Sequence, residues 1–93
     1  MSRRRVSIFG ATGSIGQNTI DLIARDPDRY EVVALTGASN IALLAKDAIR
    51  LNAKIAITAH DHLLSNLQEA LKGSSVKAAA GQAALTEAAS RPV

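Results

Sequence analysis

The sequence predicts an α/β fold, a Rossmann-like open parallel sheet with the element order βαβαβαβα. Two observations predict it: short apolar runs alternate with stretches of helical periodicity, and the first apolar run ends in a glycine-rich turn. Strands that alternate with helices of about ten residues are joined by right-handed crossovers, so the strands run parallel. We expect residues 1–93 to be the N-terminal part of a larger domain, because the last helix ends without an obvious partner.

The first predicted strand is 6–9 (VSIF), a short apolar and β-branched run that stops at Gly10. Apolar spacing then predicts a helix that Pro27 ends, since proline disfavours the helical conformation in the residue before it. The inward face of this helix, with spacing i, i+4, i+7 and i+8, is predicted to be Ile15, Thr19, Leu22 and Ile23. Arginines 3–5 are expected to form a disordered, solvated tail.

The remaining elements follow the same alternation. Strands are predicted at 31–35 (EVVAL), 54–57 (KIAI) and 76–80 (VKAAA), and helices at 41–51, 61–71 and 81–90. Asn40 can cap the second helix and Asp61 the third, because their side-chain oxygens accept from free backbone N–H groups. The last helix is alanine-rich, so helix propensity rather than an amphipathic pattern predicts it.

Composition excludes several classes of protein. There is no cysteine, which excludes a disulfide scaffold and a cysteine-based zinc site. No apolar stretch has the length of a signal peptide core or a membrane span, so we expect a cytoplasmic protein with no membrane partner. The net charge of +3 comes from arginines 3–5. With one Phe, one Tyr and no Trp, the chain lacks stacking platforms for nucleic acid, which we do not expect as a partner.

The most informative segment is 10–16 (GATGSIG), between the first strand and the first helix. Its G-x-x-G-x-x-G spacing is close to the dinucleotide fingerprint G-x-G-x-x-G but not identical to it. Gly10 suits a tight turn, Gly13 lets the main chain approach a phosphate, and Gly16 allows close packing of helix on sheet. The alternative is a glycine-rich turn that only packs. A Walker-type site is disfavoured because no Gly-Lys-Ser/Thr follows.

An anion would bind at the start of the helix that follows. The backbone N–H groups near Ser14 and Ile15 lie at the positive end of the helix dipole. Thr12 and Ser14 add hydroxyl donors. This arrangement favours the pyrophosphate of a dinucleotide.

The segment 36–40 (TGASN), after the second strand, bears on the choice of nucleotide. NAD-binding folds often have an Asp or Glu about 20 residues beyond the glycine turn, where it binds the ribose hydroxyls. No carboxylate occurs in this segment, and Ser39 and Asn40 can donate hydrogen bonds to a 2′-phosphate. The turn therefore favours NADP over NAD. An ordinary polar turn in which Asn40 only caps the next helix remains the alternative.

No catalytic or metal-binding residue can be assigned. His60 and His62 are two positions apart, which would not place them on one helix face, and with Asp61 they are interpreted as a solvated helix start. Asp21 is expected to be exposed. Four further acidic residues form no catalytic constellation: Asp26, Asp28, Glu69 and Glu87.

The glycine-rich segment and the elements around it resemble the N-terminal segment of the 1-deoxy-D-xylulose 5-phosphate reductoisomerase family. The resemblance lies in 6–16 (VSIFGATGSIG), 19–23 (TIDLI), 32–35 (VVAL) and Asn40, and extends more loosely to 81–82. It implies an NADP-dependent oxidoreductase of the non-mevalonate route to isoprenoids. Such an enzyme converts 1-deoxy-D-xylulose 5-phosphate, a sugar phosphate, to 2-C-methyl-D-erythritol 4-phosphate with NADPH and a divalent metal, Mg or Mn. Family members are usually homodimers.

The resemblance also implies site residues. The family's cofactor loops fall on two sets of positions in this sequence: Thr12, Gly13, Ser14 and Ile15, and Ala38, Ser39 and Asn40. The family commonly has a basic residue where this chain has Ser39. Its metal, substrate and active-site loop residues lie beyond position 93, so this chain alone is expected to be inactive.

Two other classes stay open on the sequence. One is a different NADP-dependent oxidoreductase with a similar glycine turn, such as an aspartate-semialdehyde dehydrogenase-like protein or an extended short-chain reductase. A downstream catalytic Cys or a Tyr-x-x-x-Lys pair would indicate it. The other is a non-catalytic nucleotide-binding or interaction domain.

Overall fold

Strands and helices alternate along the chain in the computed structural model, which describes residues 3–11 and 13–90. The strands are β1 (Arg4–Ile8), β2 (Tyr30–Gly37), β3 (Ile55–Thr58) and β4 (Lys77–Ala80). The helices are α1 (Ser14–Ala24), α2 (Ile41–Arg50), α3 (Leu64–Ala70) and α4 (Gln82–Ser90), with a 3₁₀ turn at Asp61–Leu63 before α3. The predicted βαβαβαβα order is confirmed. No helix within the described ranges has the length and apolar character needed to cross a membrane.

The four strands form one parallel sheet in the order β1-β2-β3-β4. Each strand lies beside its predecessor, so right-handed crossovers place α1, α2 and α3 on the same face. One cluster of buried side chains accordingly joins Ile20 of α1, Leu44 of α2 and Leu67 of α3. On the opposite face, Ala88 of α4 packs with Ala34 and Ile57 of the sheet. The predicted Rossmann-like parallel sheet is confirmed.

β2 contains a bulge that changes which of its residues face α1–α3. Val6 pairs with Val32, but the next residue of β1, Ser7, pairs with Ala34, so β2 has one extra residue. As a result Val32 and Leu35, three positions apart, both lie in the core beneath the helices. Ala34 faces α4 instead. A strict two-residue alternation would not produce this arrangement.

The predicted inward face of α1 is wrong at two positions. Ile15 is 82% exposed and Leu22 is 61% exposed, whereas Gly16, Ile20 and Ile23 are buried. The cause is the glycine, because a Cβ at Gly16 would collide with the backbone of the preceding turn. The helix therefore packs on the sheet through the side that contains Gly16. Ile20 and Ile23, four and seven positions after Gly16, lie on that side and are buried.

The expectation of a disordered tail at arginines 3–5 is also wrong. β1 begins two residues before the predicted start. The Arg3 guanidinium donates to the Tyr30 carbonyl oxygen at 2.8 and 3.1 Å. Arg5 Nε lies 3.1 Å from Glu31 Oε2. These side chains are exposed but attached to the neighbouring strand, because the parallel pairing of β1 with β2 places an acceptor beside each.

The predicted cap by Asp61 is not formed. The 3₁₀ turn has His60 as its N-cap and α3 has Leu63, and neither makes a side-chain capping bond. The carboxylate of Asp61 lies beside Gly81, where a Cβ would collide with it. Gly81 has a φ of 91°, a conformation that favours glycine, and it precedes α4. Asp61 therefore packs against the turn that follows β4.

Candidate functional site

The carboxyl ends of the four strands meet at one edge of the sheet, which is where parallel α/β proteins bind ligands. Backbone hydrogen bonds extend the sheet into the turns at this edge. Ala11 N donates to Thr36 O at 2.7 Å, and Ala59 N donates to Gly37 O at 2.9 Å. The glycine-rich turn after β1 and the turn after β2 are thus direct neighbours.

Gly13 differs from the other two glycines of the turn. Gly10 has a φ of 70°, and a Cβ at Gly16 would lie 2.7 Å from the Cα of Ala11, so the fold itself requires glycine at both. Gly13 has a φ of −81° and a ψ of 169°, which any residue adopts. A Cβ there would lie 3.5 Å from Gly10 O, an ordinary contact. Since Gly13 is exposed, the space above it is open to a ligand.

The first turn of α1 offers donors to an anion. Gly13 is the N-cap of α1, and as a glycine it has no side chain to cap the helix. The first turn of α1 contains no acidic residue. The first helical bond runs from Gln17 N to Gly13 O at 2.9 Å. The N–H groups of Ser14 and Ile15 therefore have no acceptor within the helix, and both residues are exposed. Thr12, the fourth residue predicted for this loop, lies outside the described residues.

Two polar side chains fix the glycine-rich turn from beneath. Thr36 Oγ1 accepts from Gly10 N at 2.9 Å. Gln17 Nε2 donates to Ala11 O at 2.9 Å and to Asp47 Oδ2 at 2.7 Å. Sequence reasoning missed both contacts. The available signal was Asp47 itself, an acid three positions after Leu44, on the inward face of α2.

The second turn carries neutral donors beside another helix start. Ala38, Ser39 and Asn40 are all exposed. Asn40 Oδ1 accepts from Leu43 N at 3.3 Å, which confirms the predicted cap of α2. The first turn of α2 contains no acidic residue. No acidic side chain of that turn therefore neutralises the positive end of the helix dipole near Ser39 and Asn40.

The described residues provide no set of ligands for a divalent metal. His60 and His62 are exposed, and their ring centroids are 5.5 Å apart. Across 3–11 and 13–90, no three His, Cys, Asp or Glu side chains are grouped so that they could hold a metal ion. Asp21 is exposed, as predicted, and its Oδ1 lies 3.5 Å from Nη1 of Arg50.

A parallel sheet with a glycine-rich turn and two helix starts at its carboxyl edge is the architecture of Rossmann-like dinucleotide-binding proteins. Within this class, the family model for 1-deoxy-D-xylulose 5-phosphate reductoisomerase matches residues 6–93. The chain belongs to this family.

Curated relatives carry the same name. The 1-deoxy-D-xylulose 5-phosphate reductoisomerase of Jannaschia sp. (strain CCS1) is 72% identical over 90 residues, which are 97% of this chain and 23% of the relative. The enzyme of Zymomonas mobilis is 57% identical over 86 residues, covering 92% of this chain and 22% of the relative. The chain thus spans less than a quarter of the length of these relatives.

Solved structures agree with the fold. The Zymomonas mobilis reductoisomerase in complex with NADPH matches with a TM-score of 0.93 and 56% identity, over 95% of this chain and 23% of that chain. A DOX-P reductoisomerase in complex with NADPH, fosmidomycin and magnesium matches with a TM-score of 0.83 and 30% identity, over 90% of this chain and 21% of that chain. The family match decides against a different NADP-dependent oxidoreductase, one of the two other classes that the sequence left open.

Proposed function

We propose that this chain is the NADPH-binding N-terminal segment of a 1-deoxy-D-xylulose 5-phosphate reductoisomerase. The complete enzyme would be an NADP-dependent oxidoreductase that converts 1-deoxy-D-xylulose 5-phosphate to 2-C-methyl-D-erythritol 4-phosphate in isoprenoid biosynthesis. The observation that carries the proposal is Gly13, which the fold does not require to be glycine. A phosphate that approaches the main chain from the exposed side would require it.

The pyrophosphate would bind at the start of α1. The N–H groups of Ser14 and Ile15 point out of an uncapped helix end, and the dipole of α1 favours negative charge there. The exposed side chain of Ile15 would cover the nucleotide from one side. Thr12 completes this loop as a prediction from the sequence.

The adenosine ribose with its 2′-phosphate would bind at Ala38, Ser39 and Asn40. A phosphate needs donors and no nearby carboxylate, and this turn meets both conditions. Asn40 uses Oδ1 to cap α2, which leaves its amide nitrogen to donate. Ser39 is neutral, so we expect a smaller preference for NADPH over NADH than in relatives with Lys or Arg at this position.

The rest of the reaction belongs to other parts of the enzyme. Binding of the sugar phosphate and of Mg or Mn would need residues outside this chain, since the described residues provide no metal-ligand set. The complete protein would be a cytoplasmic homodimer. This segment supplies the site for the hydride donor.

Titration of the complete reductoisomerase containing this segment tests the proposal, with NADPH fluorescence as the signal. Gly13→Val should raise the dissociation constant of NADPH at least tenfold, about 1.4 kcal/mol, with an unchanged melting temperature. Ser75→Val is the matched control, because it introduces the same valine side chain into an exposed turn at the opposite edge of the sheet. Unchanged NADPH affinity in the Gly13 variant would refute the assignment.

A further inference from the structure

Thr58, the last residue of β3, has a buried hydroxyl that the proposed nucleotide contacts do not use. Its side chain is fully buried, with 0% of the residue exposed. The hydroxyl donates to the Ala38 carbonyl oxygen at 2.6 Å and accepts from His60 N at 3.3 Å. With one proton given and one received, the hydroxyl is held in a single orientation.

The effect of this bond is on the turn after β2. Two consecutive carbonyl oxygens, one at the end of β2 and one in the turn after it, accept hydrogen bonds from residues at the end of β3 and just after it. Ala59 N donates to Gly37 O at 2.9 Å, and the Thr58 hydroxyl donates to Ala38 O. Ala38 itself is exposed, so water could satisfy its carbonyl if the turn moved. The bond therefore satisfies the buried hydroxyl of Thr58, whereas the Ala38 carbonyl does not depend on it. Its consequence is to set the direction of the Ala38–Ser39 peptide.

Because the Ala38–Ser39 peptide is planar, the direction of its carbonyl also fixes the direction of the Ser39 N–H. In a trans peptide the C=O and the following N–H point in opposite directions, and no cis peptide occurs in the described residues. Because the Ala38 carbonyl points inward to Thr58, the Ser39 N–H points outward. That is the exposed side of the turn, beside the start of α2, where the 2′-phosphate would lie.

We infer that Thr58 is a positioning residue for cofactor choice: by holding the Ala38 carbonyl, it aims the Ser39 N–H at the group that distinguishes NADPH from NADH. The inference rests on the NADPH site proposed above. Thr58 does not touch the nucleotide. It acts through the Ala38–Ser39 peptide.

A second threonine provides a matched comparison. Thr36 is also buried, 5% exposed, near the end of the neighbouring strand, and its hydroxyl accepts from Gly10 N at 2.9 Å. It therefore supports the glycine-rich turn, whose ligand would be the pyrophosphate common to NADPH and NADH. Loss of the Thr36 hydroxyl should weaken both cofactors together, whereas loss of the Thr58 hydroxyl should weaken NADPH selectively.

The experiment measures dissociation constants for NADPH and NADH in the complete reductoisomerase containing this segment. The variants are Thr58→Val, Thr58→Ser and Thr36→Val, each measured below its melting temperature. Thr58→Val should raise the NADPH constant about three- to tenfold, the range for one lost hydrogen bond, and the NADH constant less than about twofold. Thr58→Ser should restore the wild-type ratio. Thr36→Val should raise both constants by the same factor.

The inference is overturned if Thr58→Val shifts both cofactors equally or neither, or if Thr58→Ser behaves like the valine variant. Thr58→Ala, assessed by the same ratio, replaces the valine variant if valine prevents folding. Failure of the proposed function looks different. In that case the wild-type enzyme does not bind NADPH, or Gly13→Val leaves its affinity unchanged.

Discussion

Gln17 and Asp47 join the first two helices beneath the glycine-rich turn, with 2.7 Å between Gln17 Nε2 and Asp47 Oδ2. The same amide nitrogen donates to Ala11 O, so both of its protons are used. Asp47 is 2% exposed, and its carboxylate depends on this donor. Gln17→Leu should therefore destabilise the protein by about 1–3 kcal/mol, the cost of leaving a buried polar group without a partner.

A double-mutant cycle with Asp47→Leu checks this by chemical denaturation. The double variant should be less destabilised than the sum of the two single variants, by at least about 0.5 kcal/mol, because two apolar side chains leave neither group unpaired. Additive losses would show that the two side chains do not depend on each other. The pair Asp21 and Arg50 is the control, since both members are exposed and should show little coupling.

Substitutions of Ser39 should move the cofactor preference in opposite directions. Ser39→Arg should tighten NADPH binding by about 1.5–3 kcal/mol, the contribution of a charge-assisted hydrogen bond. Ser39→Asp should weaken NADPH by charge repulsion and spare NADH. Dissociation constants for both cofactors across a salt series measure this, because salt screens the effect of an exposed charge.

Ser75→Arg and Ser75→Asp make the same charge changes at an exposed turn on the opposite edge of the sheet, and should leave the ratio unchanged. A wild-type preference for NADH, or a ratio unmoved by either Ser39 variant, would remove the turn after β2 from the role of cofactor discriminator.

Glu31 should make stability depend on pH in the acid range. The hydrogen bond from Lys54 above all lowers its pKa from the ordinary carboxyl value; desolvation opposes this, and the hydrogen bond from Arg5 and the charges of both cations lower the pKa further. A lowered pKa in the folded state means that the ionised carboxylate stabilises the fold above the usual carboxyl range. This stabilisation is lost as the pH falls through the lowered folded-state pKa.

Denaturation of wild type and Glu31→Gln between pH 7 and pH 3 measures this contribution. The two proteins should differ near neutral pH and converge in acid, and the difference should also shrink at high salt because the partners Arg5 and Lys54 are exposed. Glu69→Gln, at an exposed position on α3, is the control and should change less. A difference that stays constant with pH would show that the carboxylate charge does not contribute.

The 93-residue chain alone should not catalyse the reaction. A reductoisomerase must hold the hydride donor and the ketone together, and this chain carries only the proposed donor site. The assay contains NADPH, Mg²⁺ or Mn²⁺ and 1-deoxy-D-xylulose 5-phosphate, with the Zymomonas mobilis enzyme as the positive control. Turnover that follows the purified chain through chromatography would contradict the prediction.

The order of elements could be predicted from the sequence because hydrophobic period and turn residues are local signals. The inward faces of β2 and α1 could not. In β2 the bulge breaks the two-residue period, so Val32 and Leu35 lie on one face. In α1 the side that packs on the sheet is the one that contains Gly16, because a Cβ there would collide with the preceding turn. The spacing of hydrophobic residues does not reveal this, since glycine is not counted among them. Both features depend on a neighbouring strand or turn.

The candidate site could likewise be predicted only in part. The sequence placed the two turns correctly, since a glycine run and a polar turn after strands are visible without tertiary structure. The contacts that hold those turns come from residues far along the chain. Thr36 reaches Gly10, and Thr58 reaches Ala38 from 20 positions away. A lone threonine at the end of an apolar strand has no sequence signature of such a role.

The order of the sheet has a consequence for association with other chains. Within the described residues β1 and β4 each pair on one side only, and an open strand edge can pair with another chain. The exposed arginines along β1 are the type of side chain that discourages such pairing, whereas β4 has one lysine followed by three alanines. Pairing with another chain should therefore occur more readily at β4 than at β1.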